Sequence, residues 1–223
     1  MSASGPKLVA LALVATTALF AASPSSSLSI RFIGNAGFEL TDGDATILLD
    51  FPYQSGAFGY MTFDRSELRG REPSLCVFTH RHPDHFDAQS IATVGCKVAG
   101  PRDLLAALPE ASRAGEGPVW GFAAAQVRCI PTEHAGIGHC SILIVWHGQR
   151  LYFAGDIEDL TGFDRVEGGL DVVFLPAWLA SEATALRAKL PGVRIVIQHH
   201  KSGEVVSCSD CMVPEQGASV GSR

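Results

Sequence analysis

Short apolar runs separated by turn residues recur along most of the chain and predict a domain rich in β-strands. Residues 29–40 and 44–50 have strand-like composition on either side of a turn at residues 41–43, which predicts a hairpin. Further strands are predicted at residues 77–79, 97–99, 126–130, 141–146, 150–154, 170–175 and 193–198. Helical spacing is found at residues 86–93, 102–108 and 179–190, and residues 51–71 are predicted to form a loop. Two strand-rich halves with interspersed helices favour a two-sheet sandwich with helices outside.

The amino terminus has the pattern of a secretory signal peptide. Lys7 precedes an apolar run over residues 8–22, and small residues at positions 21–23 offer a cleavage site. The run is shorter than the roughly 20 residues of a membrane span. The sequence therefore predicts a signal peptide at residues 1–23 and a linker at 24–27, with an uncleaved membrane tether as the alternative. A globular domain is predicted at 28–202 and a polar tail at 203–223.

Composition agrees with one compact globular domain. The chain has 223 residues, 47% of them hydrophobic, which is enough for a single core. The formal net charge is −6 and basic residues do not cluster, so no nucleic-acid partner is expected. No membrane span is expected once the signal is removed. We expect a periplasmic or secreted protein, and its composition does not indicate an oligomeric state.

The six cysteines fall into two kinds. Cys76, Cys96, Cys129 and Cys140 lie in or near apolar runs, where free cysteine behaves as a small hydrophobic residue. Cys208 and Cys211 lie in the polar tail and could form a small disulfide or bind an ion. Export would place all six in an oxidising compartment, where disulfides persist.

The segment His80-Arg81-His82-Pro83-Asp84-His85 follows the apolar run at residues 75–78 and concentrates metal-binding side chains. Alternate residues of an extended chain share a face, so His80 and His82 can point the same way. Imidazole and carboxylate are the ligands that suit zinc and its neighbours. One ion can use the first two histidines and a second can use Asp84 and His85. The segment predicts a dinuclear site.

This segment resembles the signature of the metallo-β-lactamase fold superfamily, and further motifs follow in the same order. The likeness is strongest to the branch of small, lactamase-like hydrolases. The matching segments are residues 33–38, 46–50, 80–85, 132–134, 151–156, 171–176 and 195–200. The resemblance spans residues 28–202 and implies an α+β fold, a four-layer αββα sandwich forming a single domain.

The resemblance also implies a ligand set. The first metal would be held by His80, His82 and His134, and the second by Asp84, His85 and His199, with Asp156 bridging both ions. Two divalent ions are expected, with zinc as the preferred metal and manganese or iron as alternatives. Gln198 stands where this branch often has a proline, and the doubled His199-His200 leaves the last ligand open. We favour His199, with His200 as the substitute.

The activity implied by the resemblance is hydrolysis of a small ester, lactone, amide or phosphoester by a hydroxide that bridges the metals. Asp84 is the expected catalytic residue, orienting the nucleophile or moving its proton. Three alternatives stay open: a non-catalytic metal-binding module, a β-lactamase proper and a diiron redox protein. A pocket for a lactam carboxylate is not recognisable in the sequence, and the histidine-rich ligand set argues against diiron.

Several residues outside this set have two interpretations. Asp50 ends a predicted strand and is either a partner of a ligand histidine or an ordinary turn aspartate. His139 either reaches the substrate or caps a loop, and the second interpretation is preferred. Four aromatic residues are pocket walls or packing residues, namely Tyr53, Phe58, Tyr60 and Trp178.

Overall fold

Two six-stranded sheets form the centre of the computed structural model, which describes residues 27–71 and 73–221. The predicted signal peptide and most of the predicted linker lie outside the described residues. The first sheet contains β1 (Ser29–Gly34), β2 (Gly37–Thr41), β3 (Thr46–Leu49), β4 (Ser74–Val77), β5 (Lys97–Ala99) and β12 (Ser219–Val220). The second contains β6 (Val119–Phe122), β7 (Ala125–Pro131), β8 (Cys140–Trp146), β9 (Gln149–Phe153), β10 (Val172–Pro176) and β11 (Arg194–Gln198).

Each sheet combines antiparallel and parallel strands. The order of the first is β12-β1-β2-β3-β4-β5, with β3, β4 and β5 parallel to one another. The order of the second is β11-β10-β9-β8-β7-β6, with β9, β10 and β11 parallel. The carboxyl ends of parallel strands meet at one edge of a sheet, which is where open α/β sheets place their ligands. In this protein, both sheets present such an edge.

Apolar side chains fill the space between the sheets. Phe38 of β2 packs against Phe153 of β9 and Phe174 of β10, with ring centroids 6.1 and 4.6 Å apart. Helices α1 (Ala88–Val94), α2 (Arg102–Ala106) and α3 (Ala183–Lys189) flank the sheets and bury their apolar faces, α3 through the fully buried Leu186. The expected α+β sandwich with flanking helices is confirmed.

Local differences from the sequence prediction have identifiable causes. The segment predicted as one strand at residues 29–40 is itself a hairpin, because Asn35 and Ala36 adopt positive φ angles of 52° and 64° and turn the chain. The segment predicted as a helix at 179–190 begins as a 3-10 helix, Ala177–Glu182, before α3. Strand β6 was not predicted from the sequence, because its four residues include a glycine and are too few to show a clear period.

The segment predicted as a polar tail is packed against both sheets. Val220 of β12 pairs with Ile30 of β1, and Met212 exchanges backbone hydrogen bonds with Ile195 and Ile197 of β11. Residues 212–220 therefore cover one edge of each sheet, which protects edges that would otherwise be free to pair with other chains. No described helix is both long and apolar enough to cross a membrane.

All six cysteines are paired. Cys76 in β4 bonds Cys96, and Cys129 in β7 bonds Cys140 in β8. Cys208 bonds Cys211, as the sequence allowed. The view that the other four are merely buried hydrophobic residues is wrong, because β4 and the end of α1, and likewise β7 and β8, bring their Cα atoms to 5.8 and 5.4 Å.

Candidate metal centre

Three histidines form the first group of potential ligands. His80 and His82 follow β4, and His134 follows β7, so both sheets contribute. His80 Nε2 lies 3.0 Å from His82 Nδ1, and His134 Nε2 lies 3.3 Å from the same atom. His80 is fully buried, whereas His82 and His134 are partly exposed. The predicted first set is therefore brought together, with an opening to solvent beside His82 and His134.

The second group consists of Asp84, His85, Asp156 and His200, all buried. His85 Nε2 lies 3.1 Å from Asp156 Oδ2 and 3.6 Å from Asp84 Oδ2. His200 Nε2 lies 3.1 Å from His85 Nε2 and 3.7 Å from Asp84 Oδ2. Asp156 follows β9 and His200 follows β11, so the group gathers at the carboxyl ends of these strands.

His199, which the sequence favoured as the last ligand, does not lie in the second group, and its substitute His200 does. His199 points away from the second group, with its Nε2 2.9 Å from the Pro214 carbonyl oxygen and its Nδ1 3.0 Å from that of Lys201. Successive residues of an extended segment point to opposite sides, so only one of the pair can face the site. His200 faces it, and His199 contacts the segment that covers the sheet edges.

The spacing and chemistry of both groups fit metal ions. Donors about 2.0–2.1 Å from a tetrahedral zinc ion are roughly 3.3 Å apart, close to the observed separations. Within residues 27–71 and 73–221, Asp84 Oδ1 and Asp156 Oδ1 are buried atoms that have no hydrogen-bond partner. Buried carboxylate oxygens normally find a partner or coordinate a metal. The donor set, imidazole with a few carboxylates, is one that zinc accepts.

Asp50 is hydrogen-bonded to a histidine of each group, to His85 directly and to His80 through the Thr79 hydroxyl. It is fully buried, and its Oδ2 accepts hydrogen bonds of 2.7 Å from His85 Nδ1 and from the Thr79 hydroxyl. Its Oδ1 accepts the Thr79 backbone N–H at 2.7 Å, and the Thr79 hydroxyl oxygen lies 2.9 Å from His80 Nδ1. With Nδ1 carrying the proton on both histidines, each Nε2 keeps its lone pair for a metal. Asp50 is thus a partner of ligand histidines.

His139 accepts a hydrogen bond from the backbone of Asp156 and does not belong to either donor group. Its Nε2 accepts the backbone N–H of Asp156 at 3.1 Å, and its Nδ1 lies 2.7 Å from the Thr132 hydroxyl oxygen. Burial, together with nearby His134, lowers the pKa of His139 to about 3, so the ring is neutral, as this pairing requires. The preferred interpretation, a structural role for His139, agrees with these contacts.

Gln198 and Gly155 hold the strand ends that carry Asp156 and His200. The buried Gln198 side chain donates from Nε2 to the Gly155 carbonyl oxygen at 2.7 Å. Gly155 has φ +65°, and a Cβ there would lie 2.7 Å from His139 Nε2 and Thr79 Cγ2. Only glycine fits this position. Gln198 therefore links β11 to the loop after β9.

Electrostatics favours a neutral His80 and an ionised Asp156, whereas the carboxylates beside His85 favour its protonated form, whose Nε2 proton a bound metal ion would displace. Burial and the neighbouring histidines lower the pKa of His80, which keeps it neutral. Burial alone would lower the pKa of His85, but the Asp156 and Asp50 carboxylates raise it well above its ordinary value. Burial opposes ionisation of Asp156, yet His85 holds its pKa below the usual range. Asp156 is therefore a charged donor beside His85.

One further contact and the aromatic residues complete the surroundings. Asn35, in the β1–β2 turn, donates from its side chain to the Asp84 carbonyl oxygen, a contact that sequence motifs did not indicate. Tyr53 is fully buried between Phe51 and Phe63 and belongs to the core. The other three, Phe58, Tyr60 and Trp178, lie on the His200 side of the site.

Two mixed sheets with histidine and aspartate groups at their shared edge define a metallo-β-lactamase fold with metal-binding clusters. Residues 29–191 match the model of the beta-lactamase superfamily domain, and the chain belongs to that superfamily.

Curated relatives include two UPF0173 metal-dependent hydrolases. One from Symbiobacterium thermophilum is 29% identical over 164 residues, covering 67% of this chain and 71% of the relative. One from Deinococcus radiodurans is 27% identical over 164 residues, with the same coverage.

Solved structures show the same fold at low sequence identity. An isothiocyanate hydrolase from Delia radicum gut bacteria has a TM-score of 0.67 and 15% identity, covering 86% of this chain and 98% of that one. A metallo hydrolase from Ignicoccus hospitalis has a TM-score of 0.62 and 16% identity, covering 87% and 97%.

Proposed function

We propose that this chain, a metal-dependent hydrolase of the superfamily, uses two metal ions to cleave a small ester, lactone, amide or phosphoester. The observation that carries the proposal is the adjacency of the two donor groups. His80 and His85 belong to different groups, yet their ring centroids are only 4.1 Å apart. Two ions held by these groups would act on one substrate. The histidine-rich donor set favours zinc.

The residues that would hold the ions follow from the two groups. The first ion would take His80, His82 and His134. The second would take Asp84, His85 and His200, with Asp156 beside His85 and His200 in the same group. Bound ions of this kind polarise the electrophilic centre and lower the pKa of a coordinated water toward neutrality.

Asp84 is the residue placed to handle the proton of the attacking water. It is buried, and its Oδ1 lacks a hydrogen-bond partner among the described residues while Oδ2 faces His85 and His200. The Asn35 side chain fixes the Asp84 backbone by its hydrogen bond to the carbonyl oxygen. A carboxylate held this way can accept a proton during attack and return it to the leaving group.

Alanine substitutions of the neighbouring residues His199 and His200 test the proposal directly, because only His200 faces the site. We expect His200→Ala to remove one of two bound ions and to abolish turnover in a panel of esters, lactones, lactams and phosphodiesters. His199→Ala, the matched neighbour, should keep both ions, because its ring nitrogens face carbonyl oxygens outside the site. Plasma emission spectrometry gives the metal content.

Two results would contradict the proposal. Full metal content and turnover in His200→Ala would remove His200 from the site. A wild-type protein that holds two ions but hydrolyses no member of the panel would support a non-catalytic metal-binding module. Turnover confined to a chromogenic cephalosporin would instead indicate a β-lactamase proper.

We also propose that the protein is exported. The support is the signal-like pattern of residues 1–23 together with three cysteine pairs within bonding distance. The mature protein from its native envelope should begin near residue 24 and show no free thiols after denaturation, measured by amino-terminal sequencing and thiol titration. An unprocessed chain with reactive thiols would contradict export with cleavage.

A further inference from the structure

Two aromatic rings from separate segments cover His200. The Trp178 indole, just after β10, is stacked on the His200 imidazole with centroids 5.8 Å apart and an interplanar angle of 16°. The Tyr60 ring, from the loop after β3, lies 5.1 Å from the same imidazole. Both rings therefore border the metal centre on the side of its second donor group.

Hydrogen bonds fix these rings in place. Trp178 Nε1–H donates to the Ile157 carbonyl oxygen at 3.0 Å, and Ile157 directly follows Asp156. The Met61 backbone N–H, next to Tyr60, donates to the His200 carbonyl oxygen at 3.1 Å. Trp178 nevertheless remains 48% exposed. A large apolar ring is thus held rigidly at the surface beside buried polar ligands.

Phe58 extends this surface outward. Its ring contacts Tyr60 at 5.9 Å, yet the residue is 68% exposed and has a left-handed backbone, φ 54°. That conformation is unfavourable for a non-glycine residue, and the exposed ring gains little from burial to offset it. Strained residues and exposed apolar surface both concentrate at binding sites. Packing alone does not account for a phenylalanine here.

We propose that Phe58, Tyr60 and Trp178 form an aromatic platform that binds a flat, apolar group of the substrate beside the bond cleaved at the metal centre. The inference rests on the proposed hydrolytic function and narrows its substrates to those with an aromatic group near the scissile bond. Ligand sites combine apolar and aromatic walls with a few polar groups, and rings of the two partners stack favourably. Lys201 Nζ lies 5.9 Å from the Tyr60 centroid and adds a positive charge at the rim.

Paired phosphonates separate the platform from the metals. Methylphosphonate and benzylphosphonate have the same anionic head, which the metal centre and Lys201 can bind, and differ only in the tail. Isothermal titration calorimetry on the metal-loaded protein should give a dissociation constant about tenfold lower for benzylphosphonate. The ratio of the two constants measures the tail alone.

Substitutions of the platform residues show whether these rings cause the difference between the two dissociation constants. Phe58→Ala and Trp178→Ala should each lower the ratio toward one, and Phe58→Tyr should retain it. Phe58→Ala removes an exposed ring, so it keeps the test valid if Trp178→Ala fails to fold. Val119→Ala is the matched control, an exposed apolar truncation on β6 at the opposite edge of the second sheet. Lys201→Met should also preserve the ratio, since both probes share the head.

The outcomes distinguish the platform from the hydrolytic function. Equal affinities in the wild type, or a ratio that survives both alanine variants, would overturn the platform. A ratio that falls only in Lys201→Met would overturn it as well. A retained tenfold ratio in a protein without hydrolytic activity would support the platform and reject the proposed hydrolysis. If neither phosphonate binds to the metal-loaded protein, both the platform and the proposed two-metal function are rejected.

Discussion

Alanine at both His82 and Asp156 is expected to lower hydrolysis at least about a thousandfold and to leave the protein with less than one bound ion. The double change removes one donor from each group, His82 Nδ1 and Asp156 Oδ2. Metal ions supply several kcal/mol of transition-state stabilisation, and each 1.36 kcal/mol corresponds to about tenfold in rate. Metal analysis and steady-state kinetics on an activated ester or phosphodiester would measure both effects.

A control with the same residue types is available at the opposite end of the sandwich. His147 and Asp42 contact each other at 2.7 Å, from the β8–β9 and β2–β3 turns. Alanine at both should leave metal content and turnover close to wild type. Unchanged hydrolysis in a metal-depleted double variant at His82 and Asp156 would end the case for metal-dependent chemistry.

Asp50→Asn is expected to weaken metal binding by about 10–100-fold and to reduce turnover, although Asp50 is not a proposed ligand. The carboxylate accepts three hydrogen bonds, from the Thr79 N–H, the Thr79 hydroxyl and His85 Nδ1. An amide has only one acceptor atom, so its NH₂ group must face a donor. Where that donor is His85 Nδ1, the proton moves to Nε2, the atom that faces the second group.

The geometry of position 50 makes this substitution selective. Asp50 has φ 43°, and asparagine adopts left-handed angles at little cost, so the backbone need not change. Competition with a chromogenic chelator would measure the metal affinity. Asp171→Asn is the matched control, because Asp171 Oδ2 accepts a backbone N–H of Arg150 on the surface. Wild-type affinity in Asp50→Asn would show that the carboxylate does not set the histidine tautomers.

Much of the candidate site was predictable because its donors follow strands directly in the sequence. His80, His82, Asp84 and His85 occupy one short segment after an apolar run, and the fold keeps that segment continuous. Asp156 follows another apolar strand in the same way. A strand end with several polar ligands is a local pattern, and local patterns survive folding.

The choice between His199 and His200 and the β1–β2 hairpin could not be predicted, because both depend on local backbone direction. His199 and His200 are equivalent by composition, and only the register of β11 and the position of Pro214 decide which ring faces Asp156. The β1–β2 hairpin depended on positive φ angles at Asn35 and Ala36, two residues that are not glycine. Such angles are settled by surrounding contacts rather than by residue type alone.

By itself the sequence determined most of the strands and the donors of residues 80–85, because apolar patterns and ligand chemistry are local properties, and the family resemblance supplied the four-layer fold and the other donors. Only the tertiary structure decided the choice of His200, the role of Asp50 behind two histidines, the pairing of the cysteines and the gathering of Phe58, Tyr60 and Trp178. The cysteine pairs join residues 3 to 20 positions apart, whereas the site depends on contacts between distant segments, such as Asp50 with His85 and His85 with His200, which are separated by 35 and 115 positions. Such contacts arise from sheet register and strand direction, which no single segment specifies.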